Sequence, residues 1–359
     1  MTTDQEMRDP DRIVVKVQMG TPVHEVRLSG MKLAGLPLAG GLFNQVDFQG
    51  ADFSGADLRE AVFDHCQLDG AIFDKAELRG AVINECSAQG SRWHGTSLRN
   101  SKLAMSHFGG AQFIGSDFNL ATFVKCRLNG ADLRGALIDR TALVEVTAPQ
   151  ACFDAIAMHQ ATFHKCLLDG ATMAGCAMRL ATFNETPLVG RSFAGMQLFG
   201  VQFTACELDG ADFSGIGLEK CNFKGASLNG TRFVQARGPN ALFPEAHGDD
   251  CDFSDADLRQ AIFVQARFQR CRFDRANLYQ TCWTKATLTQ SLLRDCELTY
   301  ADFSHGNLSG SDFEGATLFR TQLHKSIDTG ARFTDRERAL ETDPVLARAE
   351  DWKPGQRPA

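Results

Sequence analysis

The residues of this chain that could do chemistry are 12 cysteines, nine histidines and a large stock of carboxylates. A zinc site would need ligands in local clusters such as Cys-x2-Cys, and none occurs. The cysteines share a phase instead: Cys66, Cys86, Cys126, Cys166, Cys176, Cys206, Cys221, Cys251, Cys271 and Cys296 all fall one residue after a multiple of five. In such a place Cys substitutes for Ala or Ser as a compact apolar side chain. Reduced core thiols are expected, although Cys66 with Cys86, and Cys251 with Cys271, would come near one another. The histidines form no His-Glu-x-x-His pair, and there is neither a P-loop nor a Gly-x-Ser-x-Gly nucleophile elbow. His159 and His164 are five apart, a spacing set by the same phase. The carboxylates also recur at fixed positions, so no pair stands out as general acid and base. No catalytic residue, cofactor site or metal site is expected.

That phase belongs to the elements that must position these groups. From Gln49 to Arg59 the sequence reads twice as small, polar, large apolar and two further residues, with Ala51 and Ala56 small and Phe53 and Leu58 large. Large apolar residues then hold most positions ending in 3 or 8 from Leu28 to Leu323, with failures that include Ala148, Gly238 and Gly248. A period of five fits neither a helix nor an isolated strand. The chain must turn inward once per five residues, with the small and large positions inside. A longer period counts the sides: Gly30, Gly50, Gly70, Gly90, Gly110 and Gly130 return every twenty residues, and Gly170 to Gly230 resume after Gln150. Four units therefore make one coil. A second, looser Gly column suggests that two of the four corners use a turn that demands glycine.

Units such as Ala131-Asp132-Leu133-Arg134-Gly135 and Ala211-Asp212-Phe213-Ser214-Gly215 resemble the pentapeptide-repeat family. The resemblance spans 28–323. It implies an all-β fold, a right-handed quadrilateral β-helix with ladders of Phe or Leu along its axis. Around it the chain divides into 1–27, a tail and capping hairpin; 28–323, the repeat; and 324–359, a helical cap or tail.

The ends and interruptions carry the candidate contacts. Residues 1–12 are polar and read as a mobile tail. Ile13 to Val17 and Val23 to Leu28, flanking Gly20-Thr21-Pro22, read as two strands of a hairpin that closes the first coil. At 236–250 two centres are Gly, and Pro239 and Pro244 appear, which reads as an extruded loop. Its candidate partner-binding residues are Arg237, Asn240, Phe243, Glu245, His247 and Asp249. Pro149 and Pro187 remove ladder donors and predict local bulges. Beyond Leu323, Thr334–Leu340 and Asp343–Trp352 read as short helices, the second capped by Asp343 with Pro344 first and stopped by Lys353-Pro354-Gly355. That tail, with Trp352 on its apolar face, could cap the last coil, pair two chains or dock on another protein.

One side is short of charge: Val62, Val82, Thr122, Ala142, Thr162 and Thr182 repeat every twenty residues, accompanied by Val124 and Val144. A flat, weakly apolar face of this kind is a candidate protein-binding surface. The stretch from Asp47 to Glu85 is acidic, and the whole chain has a net charge of −7. That balance lacks the basic footprint of direct nucleic-acid binding. The plainer reading of the acidic stretch is that Asp fills the repeat's polar position; the other is a patch that imitates phosphates. With no long apolar run, a membrane span is not expected, and a cytoplasmic bacterial protein is the default. The family resemblance implies protein partners. The chain is similar to long members that accompany type VI secretion spike and effector components, which makes it a non-enzymatic adaptor. The alternative is similarity to the fluoroquinolone-resistance members, which mimic DNA and bind DNA gyrase.

Overall fold

The computed structural model describes residues 9–352. One pentad explains the fold. The amide of Asp52 donates to Met31 O at 2.8 Å, that of Phe53 to Ile72 O at 2.7 Å and that of Gly55 to Asp74 O at 2.8 Å, so three donors reach neighbouring coils. Ala56 N closes the turn by donating to Phe53 O at 2.9 Å. The remaining donor, Ser54 N, goes to the Asp52 carboxylate at 2.9 Å. Each backbone N–H of the unit has an acceptor, as an interior backbone requires. The Asp of the motif is therefore structural: it takes the one amide that the coil-to-coil ladder leaves over.

The corners are left-handed on all four sides, not on two. Gly50 and Gly55 have φ of 65° and 62°, and the non-glycine corners Glu60 and His65 have 60° and 54°. Glycine is favoured in two columns because this region strains residues with a Cβ. It is not demanded there, since Glu, Lys, Gln and Arg take the same conformation.

The chain forms two compact units, one running up to Pro187 with Gly195–Gln197, the other comprising Leu188–Ala194 with Leu198 onward. In the first, three-residue strands stack in parallel at twenty-residue offsets: Leu42–Asn44, Val62–Asp64, Val82–Asn84, Lys102–Ala104, Thr122–Val124, Ala142–Val144, Thr162–His164 and Thr182–Asn184. The other three sides are held mostly by single bridges at the same offset, such as Asp47 with Gln67, Asp52 with Ile72 and Asp57 with Glu77, and one of them also pairs Ala157–His159 with Ala177–Arg179. In the second unit His247–Asp249, Arg267–Gln269 and Thr287–Thr289 pair in the same way.

Large centres stack inside each unit. Phe53 lies on Phe73 with centroids 4.8 Å apart and planes within 4°, and Phe73 lies on Trp93 at 3.9 Å. In the second unit Phe233, Phe253 and Phe273 stack at 4.5 and 4.7 Å, beside Phe223, Phe243 and Phe263 at 4.7 Å each. Offset stacking of this kind adds about 0.5–1.5 kcal/mol per pair beyond burial. The ten phase-matched cysteines are all buried among these centres, and all 12 cysteines are free thiols.

Two expectations are corrected. The first strand of the N-terminal hairpin is a helix, Pro10–Gln18, with Asp9 as N-cap and Pro10 in its first turn. Ile13 and Val17, four apart, are its buried residues, while Val15 faces out. Helical spacing and a capping signal outweigh the β-branched composition here. Val23–His24 is a strand, but it pairs in parallel with the next coil, Val23 opposite Phe43.

The loop at 236–250 does not exist. Arg237 is bridged to Gly217 and Asp257, Leu242 to Asn222 and Ile262, and His247 begins a strand. Gly238 and Gly248 occupy inward centres. A Cβ on Gly248 would stand 2.7 Å from Cys251 Sγ and 2.8 Å from the Leu228 carbonyl carbon; on Gly238 it would meet Leu218 and Leu258 at 3.3 Å. Large neighbours on the adjacent coils fill the space that the missing side chains leave. Pro239 and Pro244 stand after the centre, where the amide takes no part in the ladder, so they cost no hydrogen bond; Pro149 stands there too, and the bridge of Thr147 to Leu167 is intact. Pro187 is different, because it stands at the bridging position itself.

At the C-terminal end a short 3-10 turn, Arg336–Arg338, precedes the helix Pro344–Asp351. Asp343 caps it as expected, accepting from Val345 N at 2.8 Å and Leu346 N at 3.1 Å. Leu340 joins the coil edge, donating to Thr321 O at 2.7 Å and accepting from Leu323 N at 2.8 Å. The tail up to residue 8 and the stop at Lys353-Pro354-Gly355 lie outside the described residues. Among the described residues, no helix is long and apolar enough to cross a membrane.

Candidate functional site

The aspartates of the acidic stretch are committed to their own and the adjacent coils. Asp47 accepts from Ser29 Oγ and Gln49 N, Asp64 from Asn44 and Asn84, Asp69 from Ser87 and Gln89, and Asp74 from Arg92 and His94. The bond from Ser54 holds the Asp52 carboxyl below the usual range, and the bond from Asn84 does the same for Asp64. Asp thus serves the repeat, which is the plainer of the two sequence readings.

In the second unit charges alternate from coil to coil. Asp255 meets Arg275 at 2.7 Å, and Asp249 and Asp250 share Arg270 at 2.8 and 3.0 Å. Arg272, bridged to Asp252 on the neighbouring coil, turns its side chain instead to Asp274 at 3.4 Å. Exposed pairs of this type are screened by solvent and contribute little to stability. They set register and local neutrality more than stability.

The uncharged residues lie on the strand-rich side of the first unit, all half-buried. Val62 is opposite Val82, and Ala104, Val124 and Val144 follow one another in register. The four valines do not merge into one patch, because Lys102 stands between Val82 and Thr122. Lys125 with Glu145 at 3.7 Å and Lys165 with Glu185 at 3.3 Å edge this side with paired charge.

The residues assigned to the loop scatter. Phe243 is buried in the stack and contributes to the core. Arg237 is exposed at a bridging position and Asn240 at a corner, and Asp249 is tied to Arg270. Glu245 and His247, however, line a polar groove of about 550 Å3 together with Gln265, Arg267, Lys285 and Thr287. The sequence signal for this groove is weak, since it depends on which charges on neighbouring coils go unpaired. Trp352 ends the C-terminal helix and is 58% exposed, as Val345 is at 66%.

One cluster that the sequence did not disclose is His305, His324 and Glu350. Glu350 lies 3.2 Å from His305 Nε2 and 3.2 Å from His324 Nε2, with Lys325 Nζ at 3.1 Å. These are metal-ligand types, but the geometry opposes a metal. The Asp343 amide donates to His324 Nδ1 at 3.1 Å, so in the neutral ring the proton sits on Nε2, where a metal would have to bind. The Lys325 ammonium already neutralises the carboxylate. The cluster instead ties the C-terminal helix to the coils: Lys325 also reaches Asp351 at 2.7 Å, and these donors hold the Glu350 carboxyl down to about 2.

The fold and these surfaces define a class: a parallel β-solenoid with a five-residue unit and side chains arranged in coil-to-coil columns. The family models agree. One for a pentapeptide repeat region matches 38–113 and 266–338, and one for pentapeptide repeats in eight copies matches 106–138 and 197–235, together more than half of the chain. The chain belongs to the pentapeptide-repeat family. Among solved structures it is similar to HetL, a pentapeptide-repeat protein involved in heterocyst differentiation regulation from the cyanobacterium Nostoc sp. strain PCC 7120, at 21% identity over 70% of this chain and 96% of that one, with a TM-score of 0.26. It is also similar to QnrB1, a plasmid-mediated fluoroquinolone resistance protein, at 21% identity over 55% and 89% of the chains, TM-score 0.28. Rfr23 from the cyanobacterium Cyanothece 51142 matches at 17% identity over 41% and 91%, TM-score 0.19. No curated protein matches the chain.

Proposed function

We propose that this chain is a non-enzymatic scaffold that holds other proteins, and that it serves as a bacterial adaptor for type VI secretion spike or effector components. The observation that carries the scaffold reading is the strand-rich side of the first unit: short uncharged side chains, half-buried and in register from coil to coil, on a backbone whose donors are already satisfied. Such a surface is preformed, so binding loses little ordering entropy. The secretion assignment is supported by the resemblance in the long repeat and helical tail. Trp352 and Val345, exposed on that tail, are a second contact in this reading.

The test is capture of partners from the native cell lysate by tagged full-length protein, with identification by mass spectrometry, beside a Val124→Glu/Val144→Glu variant. Recovery of spike or effector proteins that is lost in the variant is the expected result. Capture unchanged by the variant overturns the assignment of this face, and recovery of DNA gyrase subunits would put the DNA-mimic alternative first.

A further inference from the structure

The groove of the second unit has a charge that its surroundings do not cancel. Two columns build it. His247, Arg267 and Thr287 are in register on successive strands. Glu245, Gln265 and Lys285 take the left-handed corner beside them, at φ of 59°, 59° and 61°. Several other arginines in this unit are matched by carboxylates: Arg259 by Asp257, Arg275 by Asp255, and Arg294 and Arg332 by Asp312. Glu245, the acid of the groove, is drawn away to Lys224 at 3.8 Å. Among the described residues, no ion pair involves Arg267 or Lys285.

The same corner column indicates what fits. After Lys285 it continues through His305 and Lys325, the amides of Lys285 and His305 donating to Ser304 O and His324 O on the next coil. There it already receives acid: Glu350 and Asp351 of the chain's own C-terminal helix lie on His305 and Lys325 at 3.2, 3.1 and 2.7 Å. One coil earlier, at Lys285, the column carries no such partner, and Arg267 faces it across the groove.

We propose that the groove at Arg267 and Lys285 receives an acidic segment of a partner protein, two neighbouring carboxylates taken up in the way Glu350-Asp351 is at His305 and Lys325. This rests on the reading of the chain as a protein-binding scaffold and names the chemistry of one partner. Arg267 offers a guanidinium fork suited to a carboxylate, Lys285 a point charge, and Gln265 and Thr287 further donors.

The test uses the full-length protein and a fluorescein-labelled helical peptide with an exposed Glu-Asp pair, a second peptide carrying Gln-Asn in its place, and an Arg267→Gln/Lys285→Gln variant. Fluorescence anisotropy should show the acidic peptide bound by the wild type, with affinity falling about tenfold when either the peptide pair or the two cations are neutralised. Both substitutions are on exposed side chains, and an unchanged thermal transition verifies that the variant is folded. Equal affinity for the two peptides, or for the two proteins, overturns the proposal. So does preferential binding of inorganic phosphate or a short DNA duplex with the same dependence on Arg267 and Lys285, which would make this a general anion site. If the peptide fails while lysate capture through the Val124 and Val144 side persists, the groove is excluded and the scaffold stands. The reverse pattern excludes that side and leaves the groove.

Discussion

Each side chain in this repeat answers a demand of the backbone, and the cysteines are the clearest test of that. Burial pushes the Cys126, Cys166 and Cys176 thiols up to about 11 and Cys221 up to about 12. Their sulfurs lie by carbonyls of the preceding coil, Cys176 3.0 Å from Phe153 O and Cys126 3.3 Å from Leu103 O. A thiol held neutral and out of solvent does not react, because the thiolate is the nucleophile. Only Cys152 and Cys282, at the outward polar position, are half-buried. Titration of the native protein with a thiol reagent at neutral pH should therefore modify those two quickly and the other ten only after denaturation. Rapid modification of a third would show that the coils open locally. The phase that placed these ten inside was readable in the sequence, since a single arithmetic rule selects them.

Elements are where sequence reading and structure part company, and the reason differs between the two misread places. A five-residue phase reports on side chains within one coil; it does not report what the coil above or below contributes. Gly238 and Gly248 looked like lost centres because their own pentads are empty, yet Leu218 and Leu258, and Leu228 and Phe268, lie on the adjacent coils. Restoring the motif should consequently harm the protein. Gly248→Leu should lower the unfolding free energy by about 1–3 kcal/mol through overpacking, read from the denaturation midpoint; a gain in stability would mean that the space is open. The N-terminal helix was misread through composition, although Asp9-Pro10 and the spacing of Ile13 and Val17 were in view. At the other end, the helix Pro344–Asp351 has no buried residue and depends on its polar tie. Glu350→Gln should speed hydrogen exchange across residues 343–352 while leaving the coils protected. Because the folded carboxyl is lowered to about 2, its contribution is present above the ordinary range near 4.5 and is lost as pH falls through 2. In the wild type, this carboxylate's part of the tie should persist at about pH 3.5, where an ordinary Glu is mostly protonated.

For the molecule as a whole, the question is whether its net charge of −7 makes a field that a partner can read. Imitating a phosphate backbone needs carboxylates in a row whose charge is uncompensated. Along the first unit Asp47, Asp52, Asp64, Asp69 and Asp74 each hold amides, hydroxyls or side chains of their own or the adjacent coil. In the second unit arginines alternate with the acids, so their fields cancel over a few ångströms. The columns were legible in the sequence as a twenty-residue offset; which members would pair was not, as Arg272 turning from Asp252 to Asp274 illustrates. That Arg267 and Lys285 are among the cations left over emerges only once that pairing is known. Carboxylates tied to their own coils in the first unit and paired with arginines in the second should leave the DNA machinery alone. The purified protein should neither shift a DNA duplex at about 0.15 M salt, where charges beyond some 8 Å are screened, nor alter ATP-dependent supercoiling by gyrase. Inhibition of gyrase, or its protection from a fluoroquinolone, would mean that the bound carboxylates can exchange their internal partners for the enzyme's cations, and the DNA-mimic reading would then replace the adaptor.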